Sequence, residues 1–158
     1  MRPEVIVFGE ESSGKSCLID ALLGEPLLAS QPLGKASARN ATLKVELRHV
    51  PDRKKPRWIV NGNACNGGLE DAREVLSAEL RMASGAAGKT HHIVLESASC
   101  LDVVLYEMPL DQVASHCTPD TTLLCVQAAR NWDAASKNLY ATVLRQLDPT
   151  LARTFFVY

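Results

Sequence analysis

Residues 9–16 read Gly-Glu-Glu-Ser-Ser-Gly-Lys-Ser and fill the pattern G-x-x-x-x-G-K-[ST] at every required position. The pattern constrains the fold because such a loop needs a strand before it and a helix after it. Both are present. Val5-Ile6-Val7-Phe8 reads as a short buried strand, and residues 17–23, Cys-Leu-Ile-Asp-Ala-Leu-Leu, carry apolar side chains at helical spacing. Gly9 and Gly14 let the backbone turn tightly and bring successive N–H groups toward phosphate oxygens, while the start of the helix adds its partial positive charge. Lys15 is expected on the β- and γ-phosphates of a nucleoside triphosphate, and Ser16 on a magnesium ion. The candidate binding set is Gly9, Glu11, Ser12, Ser13, Gly14, Lys15, Ser16 and Cys17, with Ser16 the metal ligand.

The remaining chain alternates strands with helices. Residues 24–41, rich in Gly, Pro, Ser and Ala without a period, read as a long loop. Residues 42–48 alternate strictly, Leu43, Val45 and Leu47 against Lys44, Glu46 and Arg48, which predicts a half-buried strand near a sheet edge. Arg57 to Val60 adds a short strand, and a Gly/Asn-rich turn follows. Leu69, Ala72, Val75, Leu76 and Leu80 set a helix period over 69–82, and residues 84–88 close it with turn chemistry. Residues 93–95, 101–106 and 121–126 are apolar runs, of which the last two read as buried strands. A helical stripe runs from Asp133, a plausible N-cap, to Leu147, and 154–158 is a final strand candidate. Such alternation predicts one three-layer α/β domain with a mostly parallel sheet, of the P-loop NTPase kind, with ligand at the carboxyl ends of the strands.

Composition narrows the partners. With 158 residues the chain has the size of one domain, and its formal net charge of −1 gives no basic excess for nucleic acid or a membrane surface. The absence of a long apolar stretch points to a cytoplasmic protein. Five cysteines lack a C-x-x-C pair, so reduced thiols are expected, with Cys17 and Cys125 acting as small buried hydrophobes. His91 and His92 fall on opposite faces of a strand and cannot share a metal; His49 and His116 read as surface residues. The basic segment 52–55 reads as a solvated turn.

Residues 11–16, the helix through Ala21-Leu22-Leu23-Gly24, the 56–82 strand and helix, the apolar strand leading to 107–110, and the pieces from 123 to 154 together resemble the GTPase domain of dynamin-like large GTPases. The resemblance implies GTP and GDP as ligands, magnesium as cofactor, GTP hydrolysis as the activity, and association between GTPase domains. It covers nearly the whole chain, but only the glycine loop is a specific motif. Several positions depart from the family pattern. Glu11 replaces the Gln that helps order the attacking water; a carboxylate about 4 Å from a γ-phosphate charge would cost roughly 4 kcal/mol at an effective dielectric near 20. Alternatively Glu10 and Glu11 simply favour the positive helix end. The threonine of the first switch falls on Ala38-Arg39-Asn40-Ala41, where Ser37 or Thr42 would replace its hydroxyl only if the loop slips. The D-L-P-G motif becomes Glu107-Met108-Pro109-Leu110, so a side chain stands where backbone should approach the ligand.

The guanine-reading T-K-x-D of the family would follow the strand at 154–158, so the domain spanning 1–158 is expected to be truncated before it. The expectation is a GTP-binding domain with weak or lost hydrolysis. A non-catalytic α/β interaction module that no longer binds nucleotide stays open as the alternative, and an ATPase or small kinase is not removed by the loop alone.

Overall fold

The computed structural model describes residues 2–10, 12–28, 41–82, 89–127 and 133–157. Five of its strands and two of its helices lie along the central part of the chain between two βα units. In chain order the elements are β1 (Glu4–Gly9), α1 (Lys15–Leu23), β2 (Thr42–His49), β3 (Arg57–Val60), β4 (Asn63–Cys65), α2 (Leu69–Met82), β5 (Thr90–Ser97), β6 (Val103–Glu107), α3 (Leu110–His116), β7 (Thr122–Val126), α4 (Ala134–Leu147) and β8 (Thr154–Val157). The strands form one sheet in the order β4-β3-β5-β2-β6-β1-β7-β8. β1 runs parallel to β6 and β7, β7 to β8 and β2 to β5, whereas β2 is antiparallel to β6 and β3 antiparallel to β4 and β5. The predicted three-layer α/β fold of the P-loop NTPase kind is thus the observed one.

Alternation along β1 divides the core. Val7 faces a cluster with Ile19 and Leu23 of α1 and Ala72, Leu76 and Leu80 of α2, while Ile6 and Phe8 face Val113 of α3 and Tyr140 and Leu144 of α4. Phe8 and Tyr140 stack with ring centroids 6.0 Å apart. Helix α1 ends where Gly24 adopts φ 75° and returns its N–H to the Asp20 carbonyl. The buried Asp20 carboxylate then accepts the backbone N–H groups of Leu27 and Leu28 at 3.1 and 2.7 Å, pinning those two leucines into the core. Residues 24–28 of the predicted long loop are therefore tightly held, whereas 29–40, like the 84–88 turn, lie outside the described residues. Before α4, Asp133 accepts the Lys137 N–H through its backbone carbonyl at 3.1 Å.

Three expectations are corrected. β2 is not near an edge: it lies between β5 and β6, with Leu43, Val45 and Leu47 in the core as predicted. Its opposite face is not simply solvated either, since Glu46 is buried beneath Arg2, Lys44, Arg48 and His92, at 2.7–3.3 Å. Burial pushes the Glu46 carboxyl up, but hydrogen bonds from Lys44 and Arg48 and nearby positive charge win and hold it at about 2. A neighbouring carboxylate, Glu96, gathers Arg48, Arg53 and Arg57 at 3.2–3.7 Å. The alternating charges thus neutralise one another across strands, which a single strand's pattern cannot reveal. Second, Cys17 is exposed rather than buried, while Cys125 is buried as expected. α1 turns Ile19, Asp20 and Leu23 inward, and a residue two positions before Ile19 falls on the other side of the helix. Third, β4 and α3 were not foreseen. His91 and His92 do separate: His91 is wholly buried beside Asn61, and His92 reaches Glu46 at 2.9 Å.

Candidate functional site

The glycine loop joins the carboxyl end of β1 to the first turn of α1. Gly9 sits where the end of β1 passes β7 in parallel register with Val126, and a Cβ at this position would lie 2.1 Å from the Val126 carbonyl oxygen. Only glycine fits that approach. Gly14 caps α1 at φ 99°, and its carbonyl receives the Leu18 N–H at 2.9 Å. Between them Ser12 also adopts a positive φ of 61°, and the Ser13 N–H closes a turn on the Glu10 carbonyl at 3.2 Å. Positive φ at Ser12 and Gly14 but not at Ser13 between them alternates the backbone hand, which turns successive N–H groups to one side of the loop, the geometry of an anion nest.

One cationic and two hydroxylic groups are gathered at this loop. The Lys15 ammonium folds back to donate to the carbonyls of Gly9 and Glu10 at 3.1 and 2.6 Å. The Ser13 hydroxyl oxygen is buried with no hydrogen-bond partner among the described residues. A buried hydroxyl normally finds a partner, and a phosphate oxygen would supply one here. Next along, the Ser16 hydroxyl donates to both carboxylate oxygens of Glu107, at 3.0 and 3.1 Å, across 91 residues of chain. Burial pushes the Glu107 carboxyl up, the charge of Lys15 and the Ser16 hydrogen bond pull it down, and Asp20 adds to the upward push.

A hydroxyl and a carboxylate side by side are the oxygen donors a magnesium ion takes from a protein when phosphates and waters complete its shell. The residues present therefore fit a phosphate with its cation. After Glu107, Met108 is buried and ties its N–H to the Val7 carbonyl at 3.3 Å; Pro109 then precedes α3, and Leu110 opens that helix packed on the Ile6–Phe8 cluster.

Of the nominated residues, Gly9, Ser12, Ser13, Gly14, Lys15 and Ser16 come together in one loop. Cys17 lies on the exposed side of α1, and Glu11 falls outside the described residues, as do Ser37, Ala38, Arg39 and Asn40. Thr42 is not near the Ser16–Glu107 pair in bonding: its hydroxyl is used by Gln112 of α3, at 2.6 Å. Sequence reasoning missed Gln112, whose only signal was its place shortly after the Glu107-Met108-Pro109-Leu110 segment, and the Val126 carbonyl, which carries no side-chain signal. No helix among the described residues is long and apolar enough to cross a membrane.

The sheet order, the loop at the end of β1 and the Ser16–Glu107 pairing define an α/β domain of the P-loop NTPase class. Residues 5–158 match the model of the Dynamin family, and the chain belongs to that family. The chain is also similar to the Interferon-induced GTP-binding protein MxA of Danio rerio, 26% identical over 114 residues that cover 68% of this chain and 17% of that protein. The match thus spans about one sixth of the relative's length.

Proposed function

We propose that this chain is a guanine-nucleotide-binding domain of dynamin type, in which Gly9, Ser12, Ser13, Gly14, Lys15 and Ser16 hold the phosphates of GTP or GDP and Ser16 and Glu107 hold magnesium. Glu11 and Cys17 complete the candidate set. The observation that carries the reading is the meeting of Ser16 with Glu107 beside a lysine already turned onto its own loop. Bound magnesium would neutralise phosphate charge there. The MxA relative, named as GTP-binding, supports guanine as the base.

Hydrolysis in this reading is slow or lost. Phosphoryl transfer depends on positioning and charge stabilisation, so replacing the water-ordering Gln by Glu11 and the first-switch Thr by the Ala38–Ala41 stretch weakens turnover more than binding. Leu110 adds to this, since it anchors the start of α3 in the core where a glycine would leave backbone free to approach a phosphate. Titration calorimetry with GTP, GDP and ATP in magnesium buffer tests the proposal. Guanine nucleotides are expected to bind, with at least a tenfold loss in Lys15→Ala, and steady-state phosphate release is expected to stay far below that of intact dynamin-like GTPases. Absence of heat with every nucleotide would overturn it in favour of a module that binds a protein partner only. Brisk hydrolysis lost in Lys15→Ala would overturn the impaired-turnover part alone.

A further inference from the structure

At the β3–β4 edge of the sheet, with β5, β2 and β6 between it and the glycine loop on β1, one side chain ties the hairpin turn to β5. Asn61 follows Val60, the last residue of β3, which lies in register with Ile93 of β5. Its backbone N–H donates to the His92 carbonyl at 2.7 Å, and its side-chain Oδ1 accepts the His92 N–H at 2.8 Å. The second bond fixes which end of the amide is oxygen, because a backbone N–H can only donate. Nδ2 is thereby turned toward Nδ1 of His91, 3.4 Å away.

An amide NH2 only donates, so Nδ1 of His91 accepts and the ring proton sits on Nε2. The residue is 0% exposed, and Nε2 has no hydrogen-bond partner among the described residues. This setting suits one neutral form of the ring. The charged groups that face it are Glu79 of α2 and Lys89 just before β5, which pair with each other at 3.1 Å; β2 places Leu43 opposite His91 and the turn supplies Asn61, neither of which titrates. Burial and the Lys89 charge push the imidazole below its ordinary 6.5, and Glu79 opposes them only in part. A proton added at Nδ1 would set two donors against each other. Rotating the Asn61 amide to offer its oxygen would face Nδ2 with the His92 N–H and lose the bond made there. One of the two bonds must fail, and the buried cation still lacks an acceptor at Nε2.

We infer that Asn61 and His91 form an acid-sensitive lock on the β3–β4 edge, closed while the His91 ring is neutral and released from β5 when Nδ1 takes up a proton. Release uncovers Trp58 and Cys65, 2% and 5% exposed in the closed arrangement. The stability that the neutral ring supports is complete above 6.5, the ordinary value that His91 regains in the opened chain, and is lost as pH falls from there toward the lower value of the closed form. The lock needs no nucleotide, so it stands or falls apart from the proposed function.

The test is hydrogen–deuterium exchange of residues 57–65 in the full chain, corrected for the intrinsic exchange rate and compared at about pH 7.5 and about pH 5.5. Wild-type protection is expected to fall about threefold to tenfold, the effect of one proton taken up within about one pH unit below the ordinary histidine value. His91→Gln carries no charge at either pH and is expected not to show that fall. Asn61→Asp is the sharper variant: one carboxylate oxygen still accepts the His92 N–H while the other faces Nδ1, so a proton there now makes a bond. Its protection is expected to rise toward the lower pH, a reversal that a histidine merely filling space would not give. No fall in the wild type, an equal fall in His91→Gln, or a fall in Asn61→Asp as large as in the wild type overturns the lock. Should His91→Gln not fold on a melting curve, the comparison of wild type with Asn61→Asp decides alone.

Discussion

Gly9→Ala isolates the steric argument at the glycine loop. The added methyl would sit 2.1 Å from the Val126 carbonyl oxygen and 3.1 Å from its carbonyl carbon. Real Cβ atoms essentially never come closer than 3.0 Å, so β1 and β7 must part by roughly 1 Å at their carboxyl ends. The obstacle is backbone, and no rotamer change relieves it. Overpacking of this kind costs about 1–3 kcal/mol, and weakening the last β1–β7 ladder bond adds about 1 kcal/mol. A total of about 2–4 kcal/mol is a large part of a domain stability of about 5–15 kcal/mol. Gly14→Ala is the contrast: no atom lies within 4 Å of the added methyl, and the cost is conformational, from φ 99°, at about 1–2 kcal/mol. Urea unfolding followed by circular dichroism measures both. Gly9→Ala is expected to lose more stability than Gly14→Ala without a change in slope. A loss below about 0.5 kcal/mol in Gly9→Ala would refute the close approach of β1 to β7.

Two further outcomes follow from the burial of charge and of apolar side chains. The Glu46 carboxyl, held at about 2 against an ordinary 4.5, contributes stability that is complete above pH 4.5 and is lost as pH falls toward 2; screened by half-exposed partners, it amounts to about 1–3 kcal/mol, and Glu46→Gln is expected to flatten urea midpoints across that window. Leu76→Ala, at a fully buried site on α2, is expected to cost about 2–5 kcal/mol in the same assay, whereas Met82→Ala, 74% exposed at the end of that helix, stays within about 0.5 kcal/mol.

Where a signal is local, the sequence revealed the structure. The glycine loop announced β1 and α1 because its chemistry demands both flanks, and the period of Leu69, Ala72, Val75, Leu76 and Leu80 fixed α2 at Leu69–Met82. β4 was lost because three residues carry no period, although Asn61-Gly62 held the clue: both adopt positive φ, 49° and 84°, in the tight turn between β3 and β4. α3, with seven residues, is likewise too short for a helical stripe and was hidden behind the reading of its start as a displaced glycine motif. The position of β2 in the sheet could not be read because what covers Glu46 comes from Arg2 and His92, far away in the chain. In the site, loop members are contiguous and were visible, while the Thr42–Gln112 contact joins residues that no motif connects.

The eight-residue register between β2 and β5 has a kinetic consequence. It pairs Thr42 with Thr90 and His49 with Ser97, in parallel, with the β3–β4 hairpin and α2 strung between the partners. No short turn can start that ladder, and closing the intervening span consumes chain entropy before any bond forms. The hairpin and α2 are local and can assemble early, presenting a ready surface on which β5 docks. Refolding should therefore pass its slowest barrier at the zipping of the sheet's middle, well after the helices have gained their circular dichroism.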